Sequence, residues 1–203
     1  ELWIPLYPLL PDYDLMDETE FTIRLHEKML KRFPAENIVW LGISGGADVL
    51  MQAGRHMVKK YPELPMPGLM LPVSVSGLLM SEDAKTRMRG IDSRNPILHW
   101  DMFETMVKYY NPNGDLPQYI LGKADEDDYT GFPKIIMYFG GDEVFAGIAP
   151  DYEKSFIRCG VKDYEIKIKE GMPHAYPVFT FLKEGREGER EIIADINRYF
   201  ESR

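Results

Sequence analysis

Four short apolar runs alternate with stretches of helical periodicity: 37–43 (NIVWLGI), 67–77 (PGLMLPVSVSG), 132–141 (FPKIIMYFGG) and 163–171 (DYEIKIKEG). This rhythm admits few architectures. Between the first two runs, Leu50, Ala53, Met57 and Tyr61 recur at steps of three or four and mark a helix over 46–61. Ahead of them Phe21, Leu25 and Met29, with Leu30 and Phe33 alongside, predict a helix over 17–33 closed by Pro34. Residues 151–159 read as a helix stopped by Gly160, and 187–201 as a last amphipathic helix. The opening LWIPLYPLL (2–10) reads as a strand, with prolines that suit its end better than its middle. Strand and helix in alternation predict an α/β protein with a parallel sheet covered on both faces. With 203 residues and no internal repeat, a single domain over 1–203 is expected.

The segment from Ser81 to Tyr129 breaks the rhythm and reads as a cap-like insertion at about 81–129. It is rich in charge and turn residues, yet Trp100, Phe103, Met106, Val107 and Tyr110 follow helical spacing. An insertion after a strand's carboxyl end lies beside the crevice where open parallel sheets bind ligands. The stripe therefore packs the insertion onto the core, walls a pocket, or does both.

Charge and cysteine content exclude several classes. A net charge of −9 with no basic block argues against nucleic acid and anionic membrane surfaces. No apolar run approaches the roughly 20 residues needed to span a bilayer. Cys159 is the sole cysteine, so there is no disulfide framework and no cysteine-based zinc site, and no metal or cofactor is expected. That usage fits a cytoplasmic protein.

The run at 37–43 ends in Gly42-Ile43-Ser44-Gly45-Gly46, a G-x-S-x-G pattern between a strand and a helix. Such a turn is tight, so side chains flanking the serine would collide, which accounts for glycine at Gly42 and Gly46. It lifts the serine hydroxyl above the sheet edge and aims the Gly45 N–H toward a developing oxyanion. The alternative is a glycine-rich turn that binds a phosphate or nothing. A hydroxyl nucleophile needs a base oriented by a carboxylate. His26 and His56 fall in helical patterns, and His99 begins the insertion helix. His174, in EGMPHAYPVF, follows a strand and sits in a loop able to reach over the sheet edge. Asp142, in YFGGDEVFAG, follows an apolar run and two glycines, and is the expected acid. The order Ser44, Asp142, His174 is that of the α/β-hydrolases.

The chain resembles the hormone-sensitive-lipase-like branch of the α/β-hydrolase esterases. YPLLPDYDL is similar to that family's Tyr-x-Leu-x-Pro stretch, GISGGA to its elbow, FGGDEVFAG to its acid loop and GMPHAY to its histidine loop. The resemblance implies a metal-free hydrolase acting on small or medium acyl esters, with Ser44, Asp142 and His174 catalytic and Gly45 a donor to the oxyanion.

Two departures qualify the resemblance. Ile43 stands where the family usually has an acidic residue, and the upstream H-G-G-G-type oxyanion segment has no counterpart. The family's sheet order is 1-2-4-3-5-6-7-8, and this chain opens at what corresponds to the fourth strand. An incomplete α/β-hydrolase fold is therefore expected, lacking the first three strands, with impaired activity. Residues 2–9 are expected to pair abnormally, and the bared edge at 37–43 to invite homo-oligomerisation or strand complementation. Two other readings remain: a non-catalytic hydrolase-fold binding protein, and an amidase or peptidase on the same scaffold.

Overall fold

The computed structural model describes residues 1–203, the side chain of Glu104 excepted. Four strands, β1 (Val39–Ile43), β2 (Leu69–Val73), β3 (Lys134–Gly140) and β4 (Tyr164–Lys169), form one parallel sheet in the order β1-β2-β3-β4. Each lies inside one of the four apolar runs. Their side chains alternate between faces, as a strand's two-residue period requires. Trp40, Met70, Ile135, Met137 and Phe139 enter the larger core, while Leu69, Leu71, Val73, Ile136 and Tyr138 enter the smaller one.

Helices cover both faces. α1 (Leu15–Leu30) and α2 (Gly45–Lys60) pack against each other, and α2 against β1. α6 (Ala149–Cys159) joins that larger core through Tyr152 and Phe156. α7 (Lys183–Glu201) covers the opposite face with Ile192, Ile196 and Tyr199. Its Asp195, buried, accepts from the Tyr138 hydroxyl and from Lys167 Nζ at 2.6 Å, tying the helix to β3 and β4.

α1 begins two residues earlier than its apolar spacing predicts. Asp14 accepts from the Asp17 N–H at 2.9 Å, and Asp17 accepts from the Asp14 N–H at 3.1 Å, a reciprocal cap that fixes the start. The buried stripe of α1 also differs from the expected one. Leu15, Glu18, Thr19, Ile23 and His26 face inward, while Phe21, Leu25 and Met29 are half-buried. Polarity on the inward face hides it from an apolar count.

The insertion contains α3 (Glu82–Asp92), α4 (Met102–Tyr110) and α5 (Gln118–Leu121). It leaves and returns side by side, with the Leu78 N–H donating to Leu121 O at 2.8 Å and the Leu79 N–H to Gly122 O at 2.9 Å. Arg55 of α2, almost wholly buried, fastens the return. Its Nε donates to Tyr119 O at 2.7 Å and lies 3.3 Å from Asp127.

Residues 1–9 form no strand, which corrects the expectation for 2–10. Leu2, Ile4, Leu6 and Leu9 point into solvent. Pro5 and Pro8 lack the N–H a ladder needs, and no described strand lies alongside. β1 pairs on one side only, with β2, and Leu41 on it is exposed.

Candidate active site

The backbone reverses sharply between β1 and α2. Ser44 occupies φ 55°, ψ −123°, a region that non-glycine residues rarely adopt, and it is held there on both sides. Its N–H donates to Val73 O at 2.9 Å, and its carbonyl accepts from Ala47 N–H at 2.8 Å. A Cβ on Gly42 would sit 2.4 Å from Gly46 O, so glycine is obligatory there. Gly46 differs from the expectation that both flanks forbid side chains, because a Cβ there meets nothing within 4 Å. The crowding is one-sided: the backbone of Gly46 fills the space a side chain at 42 would need.

His174 lies in the loop after β4, buried, with its ring edge-on to Phe145 at 4.9 Å between centroids. Its Nε2 is 2.8 Å from Ser44 Oγ. Its Nδ1 is 2.6 Å from Oε2 of Glu143, not of Asp142. This corrects the expected acid by one position. Asp142 turns to the surface and pairs with Arg94 at 3.2 Å, while its N–H donates to Met172 O at 3.0 Å. Successive side chains in extended backbone point to opposite sides, and Glu143 (φ −103°, ψ 143°) is the one that faces inward.

Glu143 is completely buried and fully engaged. Oε1 accepts from the Gly140 N–H at 2.7 Å and from the Ser74 hydroxyl at 2.8 Å. Burial pushes its carboxyl up, while His174, Ser74 and Gly140 oppose that shift. Ser74 adds a further buried hydroxyl to the site. It sits just past β2 at φ 54°, wholly buried, and accepts from the Ala175 N–H at 2.9 Å while donating to Glu143. One hydroxyl thus ties the carboxylate to the residue after His174. No spacing in the sequence marks it.

Asp48, one turn into α2, braces the neighbouring loop. It accepts from the Ser76 N–H and hydroxyl at 2.8 Å each and from the Gly77 N–H at 2.9 Å. A cavity of about 400 Å³ opens at Ser44 and Gly45, walled by Phe103, Met106 and Tyr110 of the insertion and by Phe145. The aromatic stripe therefore both packs the core and lines a pocket. A larger cavity, about 540 Å³ between residues 10–17 and 108–116, contains none of Ser44, Glu143 and His174. As the first residue of α2, Gly45 has an N–H outside the intrahelical ladder, beside Ser44. Among the described residues no group of histidine, cysteine and acidic side chains is arranged to hold a metal, and no helix is long and apolar enough to cross a membrane.

No protein-family model and no curated protein sequence matches the chain. Solved structures do. The chain superimposes on an esterase from the bacterial hormone-sensitive lipase (HSL) family with a TM-score of 0.83 at 20% identity, covering 96% of this chain and 64% of that one. EstE5 gives 0.83 at 18% identity, covering 95% and 64%. A putative esterase from Staphylococcus aureus gives 0.78 at 16%, covering 95% and 63%. At such identities the likeness is one of fold: these residues have an α/β-hydrolase architecture and span about 64% of the length of the structures they match.

Proposed function

We propose that the chain is a carboxylic ester hydrolase that works through an acyl-enzyme on Ser44. The observation that carries this reading is the continuous hydrogen-bonded line from Ser44 Oγ through both nitrogens of His174 to Glu143, at 2.8 and 2.6 Å. The esterase character of the solved structures of like fold supports it.

The chemistry follows from the protonation states. Glu143 accepts from Nδ1–H, which leaves Nε2 as the acceptor for the serine proton. As Ser44 Oγ attacks the ester carbonyl, its proton passes to Nε2, and Glu143 stabilises the imidazolium. The carbonyl oxygen takes the negative charge, and the Gly45 N–H with the positive end of α2 opposes it. Collapse expels the alcohol, which takes the proton from Nε2. A water then gives its proton to Nε2 and attacks the acyl carbon; collapse breaks the acyl–Oγ bond, Nε2 returns the proton to Ser44 Oγ, and the acid departs.

Gly45 supplies one backbone donor, and removing one donor from an oxyanion hole typically costs about 10²–10³ in rate. Hydrolysis by residues 1–203 is accordingly slow. The insertion at 81–129 acts as a cap that shapes the pocket for small and medium acyl groups. The test is p-nitrophenyl acetate turnover by the wild-type chain and by Ser44→Ala. A drop to the uncatalysed rate in Ser44→Ala is expected, and unchanged turnover would remove the serine from the mechanism.

A further inference from the structure

The cavity at Ser44 has an acidic corner that neither an acyl-enzyme nor the oxyanion uses. Glu18, on the inward face of α1, is only 6% exposed and lines the cavity. Among the described residues its carboxyl has no hydrogen-bond donor. Asp48 lines the same cavity from α2 and is already engaged by Ser76 and Gly77. Tyr7, Tyr109 and Tyr110 add aromatic rings to the wall. Of the described lining residues only His99 can carry positive charge, and its Nδ1 turns to Asp92 at 3.4 Å.

The Glu18 carboxyl opens onto this cavity with no donor of its own among the described residues, and a cavity that joins a carboxylate to tyrosine rings has the composition that receives organic cations. We propose that this corner binds an ammonium group carried by the substrate, so that the ester preferred at Ser44 is a cationic one, of the choline or amino-alcohol kind. The proposal rests on the hydrolase reading above, for which it names a substrate class. Anionic esters are disfavoured once Glu18 is ionised.

The surroundings of Glu18 make this recognition pH-dependent. Burial, with Asp14 and Asp48 nearby, pushes the Glu18 carboxyl up to about 7. The phenols of Tyr7 and Tyr110 are themselves raised by burial and by Glu18, and stay neutral. Arg55, behind Asp48, is matched to Asp127. Tyr119 of α5 stacks on His56, which hydrogen-bonds Glu20. Glu18 therefore goes from about one-tenth ionised at pH 6 to about nine-tenths at pH 8.

Binding of choline and of its neutral isostere 3,3-dimethylbutan-1-ol to the 203-residue chain, measured by calorimetry, tests this without catalysis. At pH 8 choline is expected to bind about tenfold more tightly than the isostere, and to weaken several-fold at pH 6 while the isostere does not. Glu18→Gln, checked for folding by circular dichroism, is expected to lower choline affinity several-fold at pH 8 and to abolish the pH effect. Equal affinities in the wild-type chain would overturn the proposal. So would an undiminished choline preference, or a pH effect that persists, in Glu18→Gln, which retains His99. Fluorophosphonate labelling of Ser44 reports the hydrolase reading separately, so a choline failure with intact labelling defeats this inference alone.

Discussion

Nδ1 of His174 lies 2.6 Å from Oε2 of Glu143, while Asp142, the adjacent acid, faces away to Arg94 at 3.2 Å. Two neighbouring carboxylates thus have separate environments, one wholly buried with three donors and one at the surface. Their substitutions should separate as clearly.

Glu143→Gln is expected to lower kcat/KM about 10³–10⁴-fold, because the amide can no longer hold the histidine tautomer that leaves Nε2 free. Asp142→Asn removes only a surface pair and should change kcat/KM by less than about threefold. Steady-state kinetics with p-nitrophenyl acetate distinguishes them. The reverse ranking would return the acid role to Asp142.

Ser74→Ala leaves the Ala175 N–H without its acceptor and takes one donor from Glu143, both inside the core. A loss of about 1–3 kcal/mol in urea-unfolding stability is expected, the range for a buried group left unsatisfied. A change within 0.5 kcal/mol would mean that water replaces the hydroxyl.

The elbow glycines should respond unequally. Gly42→Ala drives a methyl to within 2.4 Å of Gly46 O and is expected to cost about 1–3 kcal/mol, with loss of activity as the turn shifts. Gly46→Ala meets nothing and should fold and react nearly as the wild type does. Equal damage from both would contradict the one-sided packing.

Glu18 sets a pH dependence of stability whose sign follows from its raised pKa. The folded value, about 7, exceeds the ordinary 4.5, so the folded state holds the proton more tightly. Its stabilising contribution is fully present below pH 4.5 and is lost as pH rises through about 7. Glu18→Gln should flatten the decline between pH 5 and pH 8, with a gain on the order of 1 kcal/mol at pH 8. Thermal midpoints at the two pH values read this directly, and an undiminished decline in the variant would place its origin elsewhere.

Much of this architecture is legible in the sequence because burial and apolarity coincide in it. All four strands lie within apolar runs, and the elbow is marked by a glycine, Gly42, that the tight turn requires. Legibility fails where those signals part. LWIPLYPLL is apolar, yet no partner strand exists for it among the described residues, and it stays unpaired with Leu2, Leu6 and Leu9 in solvent. α3 escapes notice because only Ala84 and Met88 of its eleven residues are buried. Glu18 lies on an inward face where only Leu15 and Ile23 of the five buried residues are apolar, too few for an apolar count to find. The choice between Asp142 and Glu143 depends on which way two successive side chains point, which chain order alone does not encode. Ser74 acts through one hydroxyl whose two partners lie 69 and 101 residues away.

The central claim is that His174 and Glu143 make Ser44 a nucleophile, and covalent capture tests it most directly. The 203-residue chain is treated with a fluorophosphonate probe and the adduct located by peptide mass spectrometry. The expected result is a single adduct on Ser44, absent from Ser44→Ala and formed at least about 10³-fold more slowly in His174→Ala. Labelling of Ser44 at the same rate without His174, or an adduct on another serine, would contradict it.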